Sequence, residues 1–246
     1  MSDEKEMLPV KVESFLALQK VEKVREVIKT NFGEAGISIW DLERIKIPAG
    51  GGMSWQVLSP TGDVTEKKVV TALMPYKREE RNYWKEEFGQ GASKPPDCYS
   101  SNMVTGNGDN GTEEIGEHDC LTCPMNQWGS NSKGEGKACR QNIVAFLLPQ
   151  GKEDHIFPTI LTVTPGSLKA AKGYFTDLSS RLLSYQQVVH TITLEKAQNN
   201  QKIAYARVKW QIASELTEAD IERLLKYAET MRASFSTVRV TSEESA

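Results

Sequence analysis

Cys98, Cys120, Cys123 and Cys139 are the only cysteines of the 246-residue chain, spaced Cys-x21-Cys-x2-Cys-x15-Cys. A Cys-x2-Cys pair offers two thiolates from one tight turn, and one more from each end of the segment completes a tetrahedral set. Four thiolates leave no open coordination position, which suits a structural zinc ion rather than a catalytic one. The expectation is one zinc that ties both ends of residues 89–140 to their centre and supplies order to a stretch rich in Gly, Ser, Asn and Asp. Four thiolates also suit an iron–sulfur cluster. A redox pair at Cys120 and Cys123 should follow a strand and open a helix, whereas Pro124, Asn126 and Gly129 continue a loop. His118 could replace a thiolate, and Asp97 and Asp119 could support the ligands.

Aromatic and cationic side chains cluster near these cysteines. Single-stranded nucleic acid is held by aromatics that stack on bases and cations that track phosphates. Tyr83, Trp84 and Trp128 are the candidate stacking residues, with Arg78, Arg81, Lys133, Lys137, Arg207 and Lys209 as candidate phosphate contacts. Tyr83 and Trp84 are adjacent, so on a strand one of them would point into a core. Arg207, Lys209 and Tyr205 alternate and should share a strand face opposite Trp210. Residues 167–212 carry an excess of five positive charges although the whole chain has net charge −3. Any nucleic-acid surface is therefore local rather than global.

Catalytic patterns are missing from the sequence. It has no Walker-type phosphate loop, and Gly106-Asn107-Gly108 lacks the strand and helix of a dinucleotide fingerprint. The His-x-Glu with Pro-Cys-x2-Cys of zinc deaminases is absent. His118, His155 and His190 are far apart, and a non-enzymatic role is expected. With 39% hydrophobic and 26% charged residues the composition is globular. No apolar run approaches a membrane span, and the polar N-terminus lacks a secretory pattern. The expected compartment is the cytoplasm, where thiols stay reduced.

The elements that must position these groups follow from periodicity. Residues 11–31 read as a helix with Val12, Phe15, Leu16, Val21, Val24, Val27 and Ile28 near one face. Trp55–Leu58 and Lys68–Met74 read as a hairpin around Ser59–Asp63. Asn142–Leu148, Phe157–Val163, Val188–Leu194 and Ile203–Ile212 read as strands, and Ser167–Tyr185 as a helix. A last helix starts at Thr217, where Thr217-Glu218-Ala219-Asp220 resembles a capping box, with Ile221, Leu224, Leu225, Ala228 and Met231 inward. The fold class read from this order is α+β: an OB-like antiparallel β-barrel with an inserted four-cysteine zinc loop and flanking helices. Its divisions are residues 1–36, helical; 37–214, the β domain with the insertion at 89–140; and 215–246, a helix and acidic tail.

Several phrases carry a resemblance: Pro96-Asp97-Cys98-Tyr99-Ser100-Ser101, Cys120-Leu121-Thr122-Cys123-Pro124-Met125-Asn126-Gln127-Trp128-Gly129-Ser130 and Gly136-Lys137-Ala138-Cys139. With Ile45-Lys46-Ile47-Pro48, Trp55 and Arg81-Asn82-Tyr83-Trp84, they look like a family of phage and mobile-element proteins over roughly residues 35–190. In layout the chain also resembles phage single-stranded DNA-binding proteins that carry zinc in an OB-fold, although four cysteines differ from their mixed His/Cys ligands. The resemblance implies single-stranded DNA binding in phage or mobile-element replication or recombination, with replication or recombination proteins as further partners. A zinc-stabilised protein-interaction module that binds no nucleic acid is the alternative, and an RNA-binding role a close variant.

Overall fold

The computed structural model describes residues 10–33, 37, 41–86, 96–112, 115–199 and 202–235. Ile39, residues 89–95 of the cysteine segment and the acidic tail lie outside the described residues.

The protein is α+β, with a mostly antiparallel open sheet and, among the described residues, four α-helices. The strands are Arg44–Lys46 (β1), Trp55–Leu58 (β2), Val64–Lys67 (β3), Val69–Tyr83 (β4), Cys98–Ser100 (β5), Thr105–Asp109 (β6), Ile115–Asp119 (β7), Arg140–Pro149 (β8), Thr159–Val163 (β9), Val188–Gln198 (β10) and Ala204–Glu215 (β11). They pair in the order β3-β2-β1-β9-β8-β4-β5-β6-β7, with β10 joining β4 and β11 joining β10. No pairing among the described residues closes the expected OB-like barrel. Two local differences accompany this. β2 pairs with β3 rather than with the Lys68–Met74 strand, because the ladder breaks at Lys68 and β4 turns to β10. β9 lies between β1 and β8, parallel to β1, where an all-antiparallel barrel was expected.

Two compact units divide the chain. The first runs through Tyr76 and takes in Phe146–Leu161 and the chain from Ala170; the second is Lys77–Ala145 with Thr162–Lys169. β4 and β8 contribute residues to both.

The first unit holds a large apolar core that includes Phe15, Trp55, Phe146 and Tyr227. The expected helix at 11–31 is a short turn, Val12–Ser14, then α1 (Leu16–Gln19) and α2 (Val21–Phe32), broken at Lys20. Val12, Phe15, Val21, Val24 and Ile28 are buried as expected. Val27 is exposed. α4 (Glu218–Phe235) opens at Thr217, whose Oγ1 accepts the Asp220 N–H at 3.3 Å and donates to its carboxylate at 2.7 Å. Leu224, Tyr227, Ala228 and Met231 form its buried face; Leu225 points outward. Among the described residues, no helix is long and apolar enough to cross a membrane.

α3 (Pro165–Ser180) begins at a proline, whose missing N–H would have no helical partner there. It ends in paired bonds from Leu183 N–H to Leu178 O and from Leu182 N–H to Ser179 O, both 3.0 Å. This closure places Leu182 at φ 57°, where glycine is usual. Leu182 is 92% exposed, so no packing offsets the backbone strain. Leu182→Gly is expected to stabilise the protein by up to ~1 kcal/mol, the αL relief being partly offset by unfolded-chain entropy. Urea titration checks this, and a lower midpoint would contradict it.

His190 is fully buried on β10. Its Nδ1 accepts from Tyr174 Oη at 2.8 Å and its Nε2–H donates to Tyr185 O at 2.9 Å. Trp210 stacks on Tyr174 and meets His190 edge-on. Burial drives the imidazole pKa down from 6.5 to about 4. The folded state therefore disfavours the proton that the unfolded chain accepts below pH 6.5. Stability from this group is complete above pH 6.5 and falls as the pH drops towards 4. The expected loss between pH 7 and pH 5 is about 2 kcal/mol. Chemical denaturation at the two pH values checks it, and His190→Gln should remove that share of the pH dependence.

Candidate metal centre and adjoining cleft

The cysteine segment lies in the second unit, and it contains strands that its composition hides. β5, β6 and β7 form an antiparallel meander, joined to β4 through Arg81↔Ser100, Asn82↔Tyr99 and Tyr83↔Cys98. Gly108 faces Cys98 at φ 124°, and a Cβ there would collide with Asp97 O. Only glycine lets the two strands approach at this point. β6 and β7 bring Cys120 back, its N–H donating to Val104 O at 2.7 Å. A 3-10 turn at Pro124–Asn126 follows Cys123, and Cys139 returns with its N–H on Met125 O at 2.8 Å.

All four cysteines are buried and line one cavity of about 10 Å³ with Arg81, Tyr83, His118, Met125 and Asn126. That volume holds one ion-sized guest. A mononuclear centre fits it. Burial, reinforced by the neighbouring sulfurs, pushes the Cys98 thiol up to about 12. Burial likewise pushes Cys139 up to about 11 and raises Cys120, while the Arg81 charge opposes both shifts. Sulfurs crowded in this way ionise together only beside a cation. Arg81 is buried, donates from Nη1 to Asn126 Oδ1 at 2.6 Å, and faces Cys139 and Cys120. A divalent ion with four thiolates carries net charge −2, and Arg81 compensates half of it. His118 Nε2 lies 3.3 Å from Cys98 Sγ, with Nδ1 3.1 Å from Gly116 O. Asn110 Nδ2 donates towards Cys123 Sγ at 3.8 Å. Among the described residues, no group of three or more His, Cys, Asp or Glu side chains is placed as a formed metal site. Fit therefore rests on the donor chemistry, the shared cavity and the buried counter-charge.

The candidate stacking and phosphate residues separate into four places. Tyr83 is buried against Cys98, Cys139, Met125 and Ala138, and it lines both the cysteine cavity and the adjoining cleft with little of its side chain exposed. Arg78 is also buried, paired at 3.4 Å with Glu80, itself fully buried. Burial raises the Glu80 carboxyl, opposed by Arg78 and by the Tyr99 hydroxyl that donates to it at 3.2 Å. Arg78 and Arg81 thus serve the interior, and neither is presented to a phosphate in this conformation. Arg207 and Lys209 lie in the first unit. They share the outward face of β11 with Tyr205, opposite the buried Ala206, Val208 and Trp210, and Arg207 is paired with Glu195 at 2.7 Å.

Trp84, Lys133 and Lys137 do come together. With Lys85, Glu86 and Arg140 they line a cleft of about 410 Å³ beside the cysteine cavity. Arg140 sits 5.9 Å from the Trp84 ring centroid, within cation–π range. Lys85 is paired with Asp109. Trp128 does not line the cleft; it stands 77% exposed on the same loop. Lys85 and Arg140 are not among the phosphate contacts expected from the sequence, yet both line this cleft. Only the strand pairings that bring Trp84 beside the returning end of the loop reveal that.

No protein-family model, curated protein or solved structure matches the chain.

Proposed function

We propose that this protein binds single-stranded nucleic acid through a surface built on a structural zinc centre. The observation that carries the reading is the cleft in which Trp84 lies beside Lys133, Lys137 and Arg140. A half-exposed aromatic ring offers a stacking platform, and the cations offer phosphate contacts. Among the described residues Glu86 is the one acidic side chain in the lining, so the cleft is locally positive in a chain of net charge −3. Trp128 adds a second exposed ring on the same loop. Cys98, Cys120, Cys123 and Cys139 would hold the zinc, which supplies a cross-link between strands and loop and no chemistry on a substrate. Phage or mobile-element replication or recombination is the setting in which we place this activity, in the cytoplasm, with DNA as the strand and no catalytic step.

A second reading has its own support. Val104, Ile115, Leu121 and Trp128 are exposed apolar residues of the cysteine module. Such a set also suits a protein-interaction module with the zinc loop as a rigid epitope. Salt dependence separates the two, because phosphate contacts release counterions. Fluorescence anisotropy of a labelled single-stranded oligonucleotide, titrated with zinc-loaded protein at two salt concentrations beside a duplex control, tests the proposal. Salt-sensitive binding that prefers the single strand is expected. No binding at low salt would remove nucleic acid from the account.

A further inference from the structure

We propose that Asn126 is a positioning residue: it holds the Lys137 ammonium at the cleft and couples it to the cysteine centre without touching nucleic acid itself. This rests on the nucleic-acid reading above. Asn126 is 5% exposed, in the turn that follows Cys123. Its Oδ1 accepts from Arg81 Nη1 at 2.6 Å and from Lys137 Nζ at 3.1 Å. Its Nδ2 donates to Cys120 O at 2.6 Å, and its backbone N–H to Cys123 O at 3.0 Å. The amide orientation is settled by these partners, since the reverse would set an NH₂ group against two cations and a carbonyl oxygen against another.

One oxygen is therefore shared by two cations with different duties. The guanidinium faces the thiols in the cavity, and the ammonium belongs to a side chain that lines the cleft. An exposed lysine ordinarily samples many rotamers, and fixing it costs conformational entropy at the moment of binding. The bond to Asn126 restrains the ammonium beforehand and leaves two of its three N–H donors for a phosphate. The backbone beside Lys137 is tied to the centre as well. Ser130 Oγ donates to Met125 O at 2.9 Å and accepts the Ala138 N–H at 2.9 Å, while the Cys139 N–H takes the same Met125 carbonyl at 2.8 Å. Restraint of Lys137 thus originates at Cys120, Cys123 and Cys139.

The test compares the zinc-loaded wild type with Asn126→Ala, Lys137→Ala and the double variant. Two quantities are read: oligonucleotide affinity at two salt concentrations, and the absorption of the cobalt-substituted thiolate centre. Lys137→Ala is expected to weaken binding about threefold to tenfold and to reduce the salt slope by about 0.7. Asn126→Ala is expected to weaken binding within the same range. Lys137→Ala should then cost clearly less in the Asn126→Ala background than in the wild type. The cobalt spectrum should be unchanged throughout. Wild-type affinity in Asn126→Ala, or independent multiplying effects, would overturn the inference. So would loss of the cobalt spectrum in Asn126→Ala, because the residue would then act on the centre alone. A wild type that binds no oligonucleotide overturns the parent reading and is recognised in the first titration.

Discussion

Stripping the proposed zinc with a strong chelator is expected to unfold the β5–β7 meander and the Cys120–Cys139 loop while the first unit keeps its structure. The contrast follows from how each is held together. The first unit has a continuous apolar core with Trp55, Phe15 and Tyr227 fully buried. Around the cysteines the apolar cluster is Tyr83, Cys98 and Cys139 with Met125 and Ala138 packed against it. That cluster is too small to offset the entropy of ordering a segment rich in glycine and asparagine. Structural zinc contributes an apparent ~10–16 kcal/mol in small modules, and its binding energy is folding energy. Amide hydrogen exchange is the measurement. Protection across residues 98–140 should collapse on chelation, whereas protection in β10 and β11 should persist. Cys139→Ser should mimic chelation, because it removes one of the four proposed thiolate ligands, the one at the returning end of the loop. Retained protection in the stripped protein would show that hydrogen bonds suffice and that the metal is dispensable.

The second large effect concerns the two tryptophans. Trp84→Ala and Trp128→Ala are each expected to weaken single-strand binding by ~1–3 kcal/mol, if both rings stack on bases. Neither should disturb folding much. Trp128 is 77% exposed, and Trp84 is half-exposed with Arg140 near its ring. The two rings occupy different places, Trp84 in the cleft and Trp128 outside its lining. They should therefore meet different nucleotides, and the double variant should lose about the sum. Oligonucleotides shortened stepwise would reveal this as a length below which Trp128→Ala no longer matters. Unchanged affinity in a folded Trp84→Ala protein would remove the cleft from the binding surface.

Much of the first unit was legible in the sequence because its elements obey simple periods. Alternation over residues 203–212 identified β11 and the outward face of Arg207 and Lys209. The Thr217–Asp220 box marked the start of α4. Legibility failed where tertiary pairing overrode local signal. Thr105–Asp109 and Ile115–Asp119 carry glycines and acidic residues that disfavour strands, yet they pair because Cys98 and Gly108 lock the meander together. The basic run of β4 reads as a solvated surface. Instead, Arg78 and Glu80 neutralise each other inside, and Arg81 faces the thiols. The choice between Tyr83 and Trp84 was left open by adjacency alone, and pairing with Cys98 settled it in favour of burying Tyr83. Barrel closure was expected from strand count, but β9 between β1 and β8 and the branch at β4 produce an open order. The gathering of the four cysteines was the most legible feature of the candidate site, since all four line one cavity.

The central claim is that one metal ion, held by Cys98, Cys120, Cys123 and Cys139, builds the surface on which binding depends. Native mass spectrometry of the full chain, paired with alkylation of accessible thiols before and after chelation, tests it most directly. The account expects one zinc per chain, four thiols protected while the metal is present, and four alkylated once it is removed. A metal-free protein whose four thiols react at once, or one that keeps the same protection after chelation, would contradict it.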